Sequence, residues 1–233
     1  MTFRYFDPPF NFNHPDHAKY PPEVMGNYLL KCMANRLGWS SLVNCRLLDF
    51  GCGVRFARTV ANLDLEVDCY AGIDVNAEAI RCLQEHLPEP KFRFAHLDAQ
   101  NAMYNPNGKP LSEKTILPFA GEKFDAVCMF SVITHQAPDE AMAILSLIRK
   151  SIVTKHLYFT AFIDDKVDSY IEADPAKPRH KSTYNQSLMR TLLVEAGWRI
   201  EQMYDPSFGQ QTAFVCLPSE LPLARSRSRI GYE

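Results

Sequence analysis

The pattern of hydrophobic and polar positions predicts strands that alternate with helices. Short apolar runs at 45–50, 67–74, 91–98, 124–133 and 156–164 predict five strands. Two further strands are predicted at 198–204 and 211–217, as an antiparallel edge. Together these elements predict a doubly wound α/β fold, with a mostly parallel seven-stranded sheet and an antiparallel C-terminal edge strand.

Helix boundaries are indicated by residues suited to helix ends. An N-terminal helix is predicted at 20–38. The residues predicted to share its inward face are Val24, Tyr28, Leu29 and Met33. Asn76 is placed to cap another helix and Pro138 to begin one, while Thr183 and Gln186 have the spacing of a capping box before the last helix.

The chain divides into an N-terminal segment and helix at 1–40, a central domain at 41–217 and a tail at 218–233. We expect the first of these to form a lid. Two stretches, 99–121 and 164–181, are long for connections in such a fold and follow predicted strands. Both should therefore emerge at the carboxyl edge of the sheet, where open α/β sheets bind ligands.

Composition narrows the class of partner. The chain has 233 residues and a formal net charge of −2, so a broad cationic surface for nucleic acid is not expected and a small-molecule partner is favoured. Its seven cysteines include no CxxC pair, and His14 and His17 lack a third clear ligand, so no metal site is expected. The absence of a signal-like or membrane-length apolar run predicts a cytoplasmic protein.

The stretch "LLDFGCGVRFART" at 47–59 is typical of a ligand-binding turn between the first strand and a helix. Gly51 and Gly53 match the first two positions of the dinucleotide pattern GxGxxG, but Phe56 fills the third. A phosphate-binding GK[ST] sequence does not follow. The motif therefore favours neither a dinucleotide nor a nucleoside triphosphate.

Acidic residues at the ends of three successive strands indicate the class of ligand more specifically than the glycine turn does. Asp49 precedes the glycines, Asp74 ends the second strand in "GIDVN", and Asp98 ends the third in "AHLDA". With D-x-G-C-G, this pattern over roughly residues 45–217 resembles the class I S-adenosylmethionine-dependent methyltransferases. The resemblance implies a Rossmann-like fold with S-adenosyl-L-methionine as cofactor.

The resemblance also implies roles for particular residues. The strand-two acid, Asp74, would hold the ribose hydroxyls, and Asp98 with Ala99 would contact the adenine. The full set of implied cofactor contacts is Asp49, Gly51, Cys52, Gly53, Asp74, Val75, Asp98, Ala99 and Ser131. Arg55 departs from the family, which most often has a third glycine there. Its side chain could crowd the cofactor, or the helix could begin one residue early, and we favour the second interpretation.

The stretch "FSVITHQAPDE" after strand four resembles the Ser-Val-Phe-Thr-His stretch of many small-molecule methyltransferases. That position would bring Ser131, Thr134 and His135 near the transferred methyl group. His135 is the candidate general base, although it could instead only pack or hydrogen-bond within its loop. The residues expected to line the acceptor pocket are Thr134, Tyr104 and Tyr184, with Tyr170 and Phe10 as further wall candidates.

The expected function is methylation of a small molecule, with an oxygen favoured as acceptor, by in-line transfer of the methyl group. Two alternatives remain open from the sequence. Phe56 counts against a nicotinamide-dependent oxidoreductase, and Arg55 leaves room for a non-catalytic module with a degenerate cofactor loop. The oligomeric state is not predicted.

Overall fold

A computed structural model describes residues 5–8, 22–112, 114–173, 181–206 and 211–220. The strands in these ranges are β1 Arg46–Phe50, β2 Cys69–Asp74, β3 Phe92–His96, β4 Lys123–Met129, β5 Val153–Ile163, β6 Tyr170–Glu172, β7 Ser182–Tyr184, β8 Trp198–Tyr204 and β9 Thr212–Pro218. The α-helices are α1 Pro22–Arg36, α2 Arg55–Asn62, α3 Ala77–His86, α4 Pro138–Ser151 and α5 Gln186–Glu195. A short 3₁₀ helix at Ile133–His135 lies between β4 and α4.

One twisted sheet organises the molecule. Its parallel strands lie in the order β3-β2-β1-β4-β5, β9 pairs antiparallel with β5, and β8 pairs antiparallel with β9. This topology confirms the doubly wound, mostly parallel sheet and its antiparallel C-terminal edge. The small strands β6 and β7 extend the carboxyl end of β5, so the described residues form nine strands and not the predicted seven. Strand β6 lies within the stretch 164–181 that was predicted as a loop, and β7 follows it. Three-residue strands are too short to leave a periodic signal in the sequence.

Helices cover both faces of the sheet. Leu47 on β1 packs into a core formed with α1, α2 and α3, whereas its neighbour Leu48 packs into a second core formed with α4 and α5. Successive side chains of a strand point to opposite faces, so one strand serves both cores. The near-continuous apolar sequences of the central strands follow from this double coverage.

Of two predicted helix caps, one is confirmed and the other is wrong. The Asn76 side chain accepts hydrogen bonds from the backbone N–H groups of Glu78 and Ala79 at 3.1 Å, as predicted for a capping residue. The capping box predicted at Thr183 is wrong, because Thr183 lies in β7. Asn185 caps α5 instead, accepting from the N–H of Ser187 at 2.7 Å.

The buried face of α1 differs from the predicted one. Val24 and Tyr28 are 57% and 47% exposed, while Leu30 and Met33 are buried. The helix is turned because Gly26 lies directly against Thr59 of α2, where any side chain would collide. Because the two helices approach closely at Gly26, the face of α1 that contains Gly26, Leu30 and Met33 is the buried one. Apolar periodicity alone does not identify such a contact.

Strand β4 ends earlier than the apolar run that predicted it. The run continues to residue 133, but β4 stops at Met129 because Ser131 adopts a left-handed backbone conformation with φ of +59°. Ile133 then returns to the core from the 3₁₀ helix and is fully buried. The chain thus turns sharply at the carboxyl end of β4 while its side chains stay apolar.

Candidate functional site

The turn after β1 places two glycines at the carboxyl edge of the sheet. Gly51 has a φ of +75° and Gly53 a φ of +47°, a backbone region that is unfavourable for residues with a Cβ atom. A Cβ on Gly51 would collide with Val132, which follows β4, whereas a Cβ on Gly53 would meet no atom within 4 Å. The turn is closed towards β4 and open above Gly53, which lets a ligand approach the backbone.

The Asp74 carboxylate stands at the end of β2 beside this turn. Its Oδ2 accepts a hydrogen bond from the N–H of Gly53 at 2.7 Å, and its Oδ1 accepts one from the N–H of Asn76 at 2.8 Å. Burial raises the pKa of Asp74, and these backbone amides oppose the rise. A carboxylate offers about four lone-pair positions, so Asp74 retains acceptor capacity for a ligand hydroxyl.

Asp49 lies beneath the glycine turn and not on its surface. It is 1% exposed, and its Oδ2 accepts a hydrogen bond from the Tyr70 hydroxyl at 2.5 Å. The Cys128 thiol contacts Oδ1 at 3.7 Å. Burial raises the pKa of Asp49 to about 7. Tyr70 and Cys128 enclose the Asp49 carboxylate, and its contact with the cofactor, implied by the resemblance, stays a prediction.

Arg55 begins α2, as the favoured interpretation of the departure at this position predicted. Its half-buried side chain brings positive charge within range of Asp49, whose pKa it lowers. The next residue, Phe56, is buried and packs on Phe130 with ring centroids 4.6 Å apart. An aromatic side chain in the core thus occupies the place where a dinucleotide-binding loop needs its third glycine.

Asp98 lies on the surface just beyond β3. Its carboxylate accepts a hydrogen bond from the Asn105 side chain at 3.2 Å and pairs with Lys109 at 3.3 Å, and both interactions lower its pKa. His96 lies within electrostatic range of both Asp98 and Asp74. The two strand-end acids therefore stand near the same histidine, and Asp98 is tied to the following loop.

The remaining predicted cofactor residues differ in their accessibility. Cys52 and Ala99 are buried at 5% and 2% exposure, whereas Val75 is half-buried and packs against the core of α4 and α5. Cys52 and Ala99 can therefore contact a ligand through their backbone atoms but not through their side chains.

The corner at Ser131 is held from three sides. Its N–H donates to Thr160 Oγ1 of β5 at 3.0 Å, and its carbonyl accepts from Thr134 Oγ1 at 2.7 Å. Its hydroxyl lies 3.0–3.2 Å from both polar atoms of the Gln211 amide. Sequence analysis missed Thr160 and Gln211. Gln211 could have been predicted, because it precedes an antiparallel strand. Such a strand starts at the edge of the sheet where the parallel strands end.

Two predicted acceptor-pocket residues are placed in the interior instead. Thr134 is 1% exposed and its hydroxyl is committed to the Ser131 carbonyl. Tyr184 is fully buried and its hydroxyl donates to the backbone oxygen of Gln136 at 2.7 Å. Both predictions are corrected, because neither side chain faces the crevice; each supports the segment that carries His135.

Tyr104 and His135 meet across the carboxyl edge. Their rings form an edge-to-face pair with centroids 6.1 Å apart. Tyr104 is 52% exposed, but partial desolvation of its hydroxyl and the negative charge of Asp74 raise its pKa. The loop that carries Tyr104 is fixed by Asn101, whose side chain accepts from the N–H groups of residues 103 and 104 at 3.0 Å. This loop therefore holds Tyr104 against His135 and within electrostatic range of Asp74.

Other predictions concern different parts of the chain. Tyr170 is half-buried, and its hydroxyl contacts Glu172 and Ser182. Phe10, His14 and His17 lie outside the described residues. Within the described ranges, no cluster of three or more potential metal ligands occurs. Among the helices of those same ranges, none has the length and apolar character needed to cross a bilayer.

Comparison with known proteins agrees with this geometry. Residues 48–150 match the family model described as "Methyltransferase domain". Magnesium protoporphyrin IX methyltransferase from Synechocystis PCC 6803, solved with bound S-adenosylmethionine, has a TM-score of 0.55 at 15% identity, covering 92% of this chain and 88% of that chain.

Two further solved structures have the same fold. An amino pentose methyltransferase from Micromonospora echinaspora has a TM-score of 0.58 at 12% identity, covering 88% of this chain and 94% of that chain. The 1,6-didemethyltoxoflavin-N1-methyltransferase of Burkholderia thailandensis has a TM-score of 0.58 at 15% identity, covering 88% and 82% of the two chains. At such identities, the similarity establishes the fold.

The fold is that of the class I methyltransferases, and the family match lies at its centre. Residues 48–150 are similar to a methyltransferase domain, within a sheet arranged as in solved S-adenosylmethionine-dependent methyltransferases.

Proposed function

We propose that this enzyme transfers the methyl group of S-adenosylmethionine to an oxygen of a small molecule. When bound, the cofactor supplies a methyl group on a sulfonium, open to in-line displacement by an acceptor atom. The protein's contribution is to bind, align and exclude water. Alignment of two reactants can lower a barrier by about 7–11 kcal/mol, so positioning is the main task of the site.

The cofactor half of the site lies between the glycine turn and the ends of β2 and β3. Asp74 would accept the ribose hydroxyls, because its carboxylate faces the open side of Gly53 and is held by two backbone amides. The adenine would lie beyond Asp74, near Val75, Asp98 and the backbone of Ala99. The placement of Asp74 at this open turn is the observation that carries the proposal.

The acceptor half lies beside the turn after β4. Tyr104 forms one wall and His135 stands against it, 6.1 Å between ring centroids. We assign His135 as the general base, removing the proton from a hydroxyl as the oxygen attacks. This assignment favours oxygen as the acceptor atom, since a neutral amine can attack before it loses its proton.

Solved structures of the same fold support a small-molecule acceptor. By their names, they act on magnesium protoporphyrin IX, an amino pentose and a toxoflavin precursor. The formal net charge of −2 also disfavours a nucleic-acid acceptor. The nicotinamide alternative loses its basis, because the buried Phe56 occupies the position of the required third glycine.

Titration calorimetry with S-adenosylhomocysteine tests the cofactor half. We expect Asp74→Ala to weaken binding about 100-fold, because charge-assisted hydrogen bonds to the ribose are lost. Asp68→Ala is the matched control, since Asp68 is an exposed acid at the opposite end of the same strand. Absence of binding to the wild-type protein at millimolar ligand, or equal affinity of the Asp74 variant, would contradict the proposal.

A further inference from the structure

A group of buried polar side chains lies directly below the glycine turn. Asp49 on β1 accepts a hydrogen bond from the hydroxyl of Tyr70 on β2, at 2.5 Å. Cys128 on β4 contacts the other carboxylate oxygen at 3.7 Å. All three residues are at most 1% exposed. We call these residues the Asp49 cluster.

Among the described residues, the charged and titratable groups that face Asp49 come from every element packed against it. Asp74 and Tyr70 come from β2, Cys128 from β4, Cys52 from the turn, and Arg55 from α2. Burial raises the pKa values of Tyr70, Cys52 and Cys128 well above their ordinary range, so these groups remain neutral near pH 7. Asp49 is the member of its cluster that changes charge.

We propose that Tyr70 is a positioning residue for cofactor binding, which holds Asp49 as a carboxylate beneath the glycine turn so that the site prefers the cationic cofactor to its product. This inference rests on the proposed function. It gives the buried Tyr70 a role, and it explains why an acid, Asp49, precedes the glycines.

The preference follows from the charges of the two ligands. S-adenosylmethionine has a sulfonium, an ammonium and a carboxylate, and therefore a net charge of +1. S-adenosylhomocysteine has lost the sulfonium charge and is neutral overall. An ionised Asp49 adds a second negative charge beside Asp74, which favours the cation and not the neutral product. After methyl transfer, this attraction is absent and the product leaves more readily.

Tyr70 controls how much of Asp49 is ionised. Burial raises the pKa of Asp49 to about 7, and the hydrogen bond from Tyr70 is the largest effect that lowers it. Tyr70 is fully buried, and a Tyr70→Phe variant removes the hydroxyl that donates to Asp49. Without that donor, Asp49 keeps its proton to a higher pH.

The test is calorimetric affinity for both S-adenosylmethionine and S-adenosylhomocysteine between pH 5.5 and 8.5. For the wild type, we expect the ratio of the two affinities to shift about tenfold towards S-adenosylmethionine as Asp49 ionises. Tyr70→Phe should show the same shift at higher pH. Asp49→Asn should show none, because its side chain does not ionise.

Two variants serve as controls. Tyr158→Phe also removes a buried tyrosine hydroxyl, which accepts a hydrogen bond from Arg36 at 2.9 Å and does not contact Asp49. Its pH profile should equal that of the wild type. His96→Gln removes an ionisable ring near Asp74. A shift that persists in His96→Gln assigns the titration to Asp49, and a shift that disappears there overturns the proposal.

A wild-type affinity ratio independent of pH, or an unshifted profile in folded Tyr70→Phe, would also overturn it. Should Tyr70→Phe fail to fold, proton release by the wild type keeps the proposal testable. Near pH 7, titrations in buffers of different ionisation enthalpy should show more protons released with S-adenosylmethionine than with S-adenosylhomocysteine, and equal release contradicts the inference. If neither ligand binds, the proposed function itself fails, which is a distinguishable result.

Discussion

Two aspartates at the residue scale show how position decides the role of one side-chain type. Asp49 and Asp74 lie on adjacent strands and on the same face of the sheet. Asp49 is paired with Gly72, two residues before Asp74, so it lies one layer deeper. Burial raises the pKa of both carboxyls, but Asp74 also meets two backbone amides at the open edge. The same carboxyl group is therefore a buried ionisable group at Asp49 and a hydrogen-bond acceptor at the edge of the sheet at Asp74.

At this scale, replacing His135 tests the chemical step. A positioned general base contributes about 10²–10⁴-fold to a rate, so we expect His135→Gln to lower kcat by that range with little change in KM for an acceptor found by screening. Glutamine retains hydrogen-bonding capacity but cannot take a proton at neutral pH.

The control is S-adenosylhomocysteine affinity, which should stay unchanged in His135→Gln because the cofactor half of the site does not include His135. An unaffected kcat would remove His135 as the base. A change confined to KM would instead indicate a role in acceptor binding.

At the scale of elements, the N-terminal residues are attached to α1 and α2 by buried polar contacts. The Asn62 side chain forms two hydrogen bonds with the backbone of Phe6, at 2.8 and 2.9 Å. Arg58 of α2 pairs with Asp7 at 2.8 Å and with Glu23 of α1 at 2.5 Å. Residues 5–8 are thereby joined to both helices. Whether the segment 1–40 acts as a lid stays a prediction.

Removal of this guanidinium should be costly. Burial alone would raise the pKa of Glu23, but hydrogen bonds from Asn62 and Arg58 lower it overall, so Glu23 is a buried carboxylate that depends on its donors. We expect Arg58→Met to lower the free energy of unfolding by about 3–5 kcal/mol, since an uncompensated buried charge remains. Urea denaturation monitored by circular dichroism measures this change.

Arg93→Met is the matched control for Arg58→Met. Arg93 pairs with Glu122 where both side chains are 32–40% exposed, and such solvent-exposed pairs contribute about 1 kcal/mol or less. Equal losses in the two variants would show that the burial of Arg58 and Glu23 has no energetic importance.

For the whole molecule, the buried Asp49 makes stability depend on pH. Its pKa in the folded protein, about 7, is higher than in the unfolded chain, so the folded state binds the proton more tightly. This contribution to stability is fully present below the ordinary pKa of an aspartate and is lost as pH rises towards about 7. Above that pH, the loss is complete.

Asp49→Asn should remove this dependence, because asparagine stays neutral and its Oδ1 still accepts from Tyr70. Relative to the wild type, we expect the variant to gain about 4 kcal/mol between pH 4 and pH 8, measured by urea denaturation across that range. Comparing the two proteins at each pH cancels the contributions of other groups. A constant difference between them would show that Asp49 is not titrating in the folded state.

Local signals in the sequence were sufficient for much of the fold. The first five strands, the antiparallel edge and the Asn76 cap follow from apolar period, turn residues and caps, which depend on neighbouring residues. The helix start at Arg55 followed from the family resemblance. The same signals failed at Thr183, where another cap residue lay two positions later, and at α1, where Gly26 selects the contact face. Such outcomes depend on competing partners and on neighbouring elements.

The sequence by itself determined that strand-end acids and a glycine turn would share one edge, because parallel strands joined by helices end on the same side of a sheet. Only the tertiary structure decided that Asp49 lies under that turn with Tyr70, that Tyr184 supports the interior, and that Gln211 meets Ser131. The last two residues are 80 positions apart. Contacts at such separations are set by strand order and side-chain packing, and no local pattern in the chain encodes them.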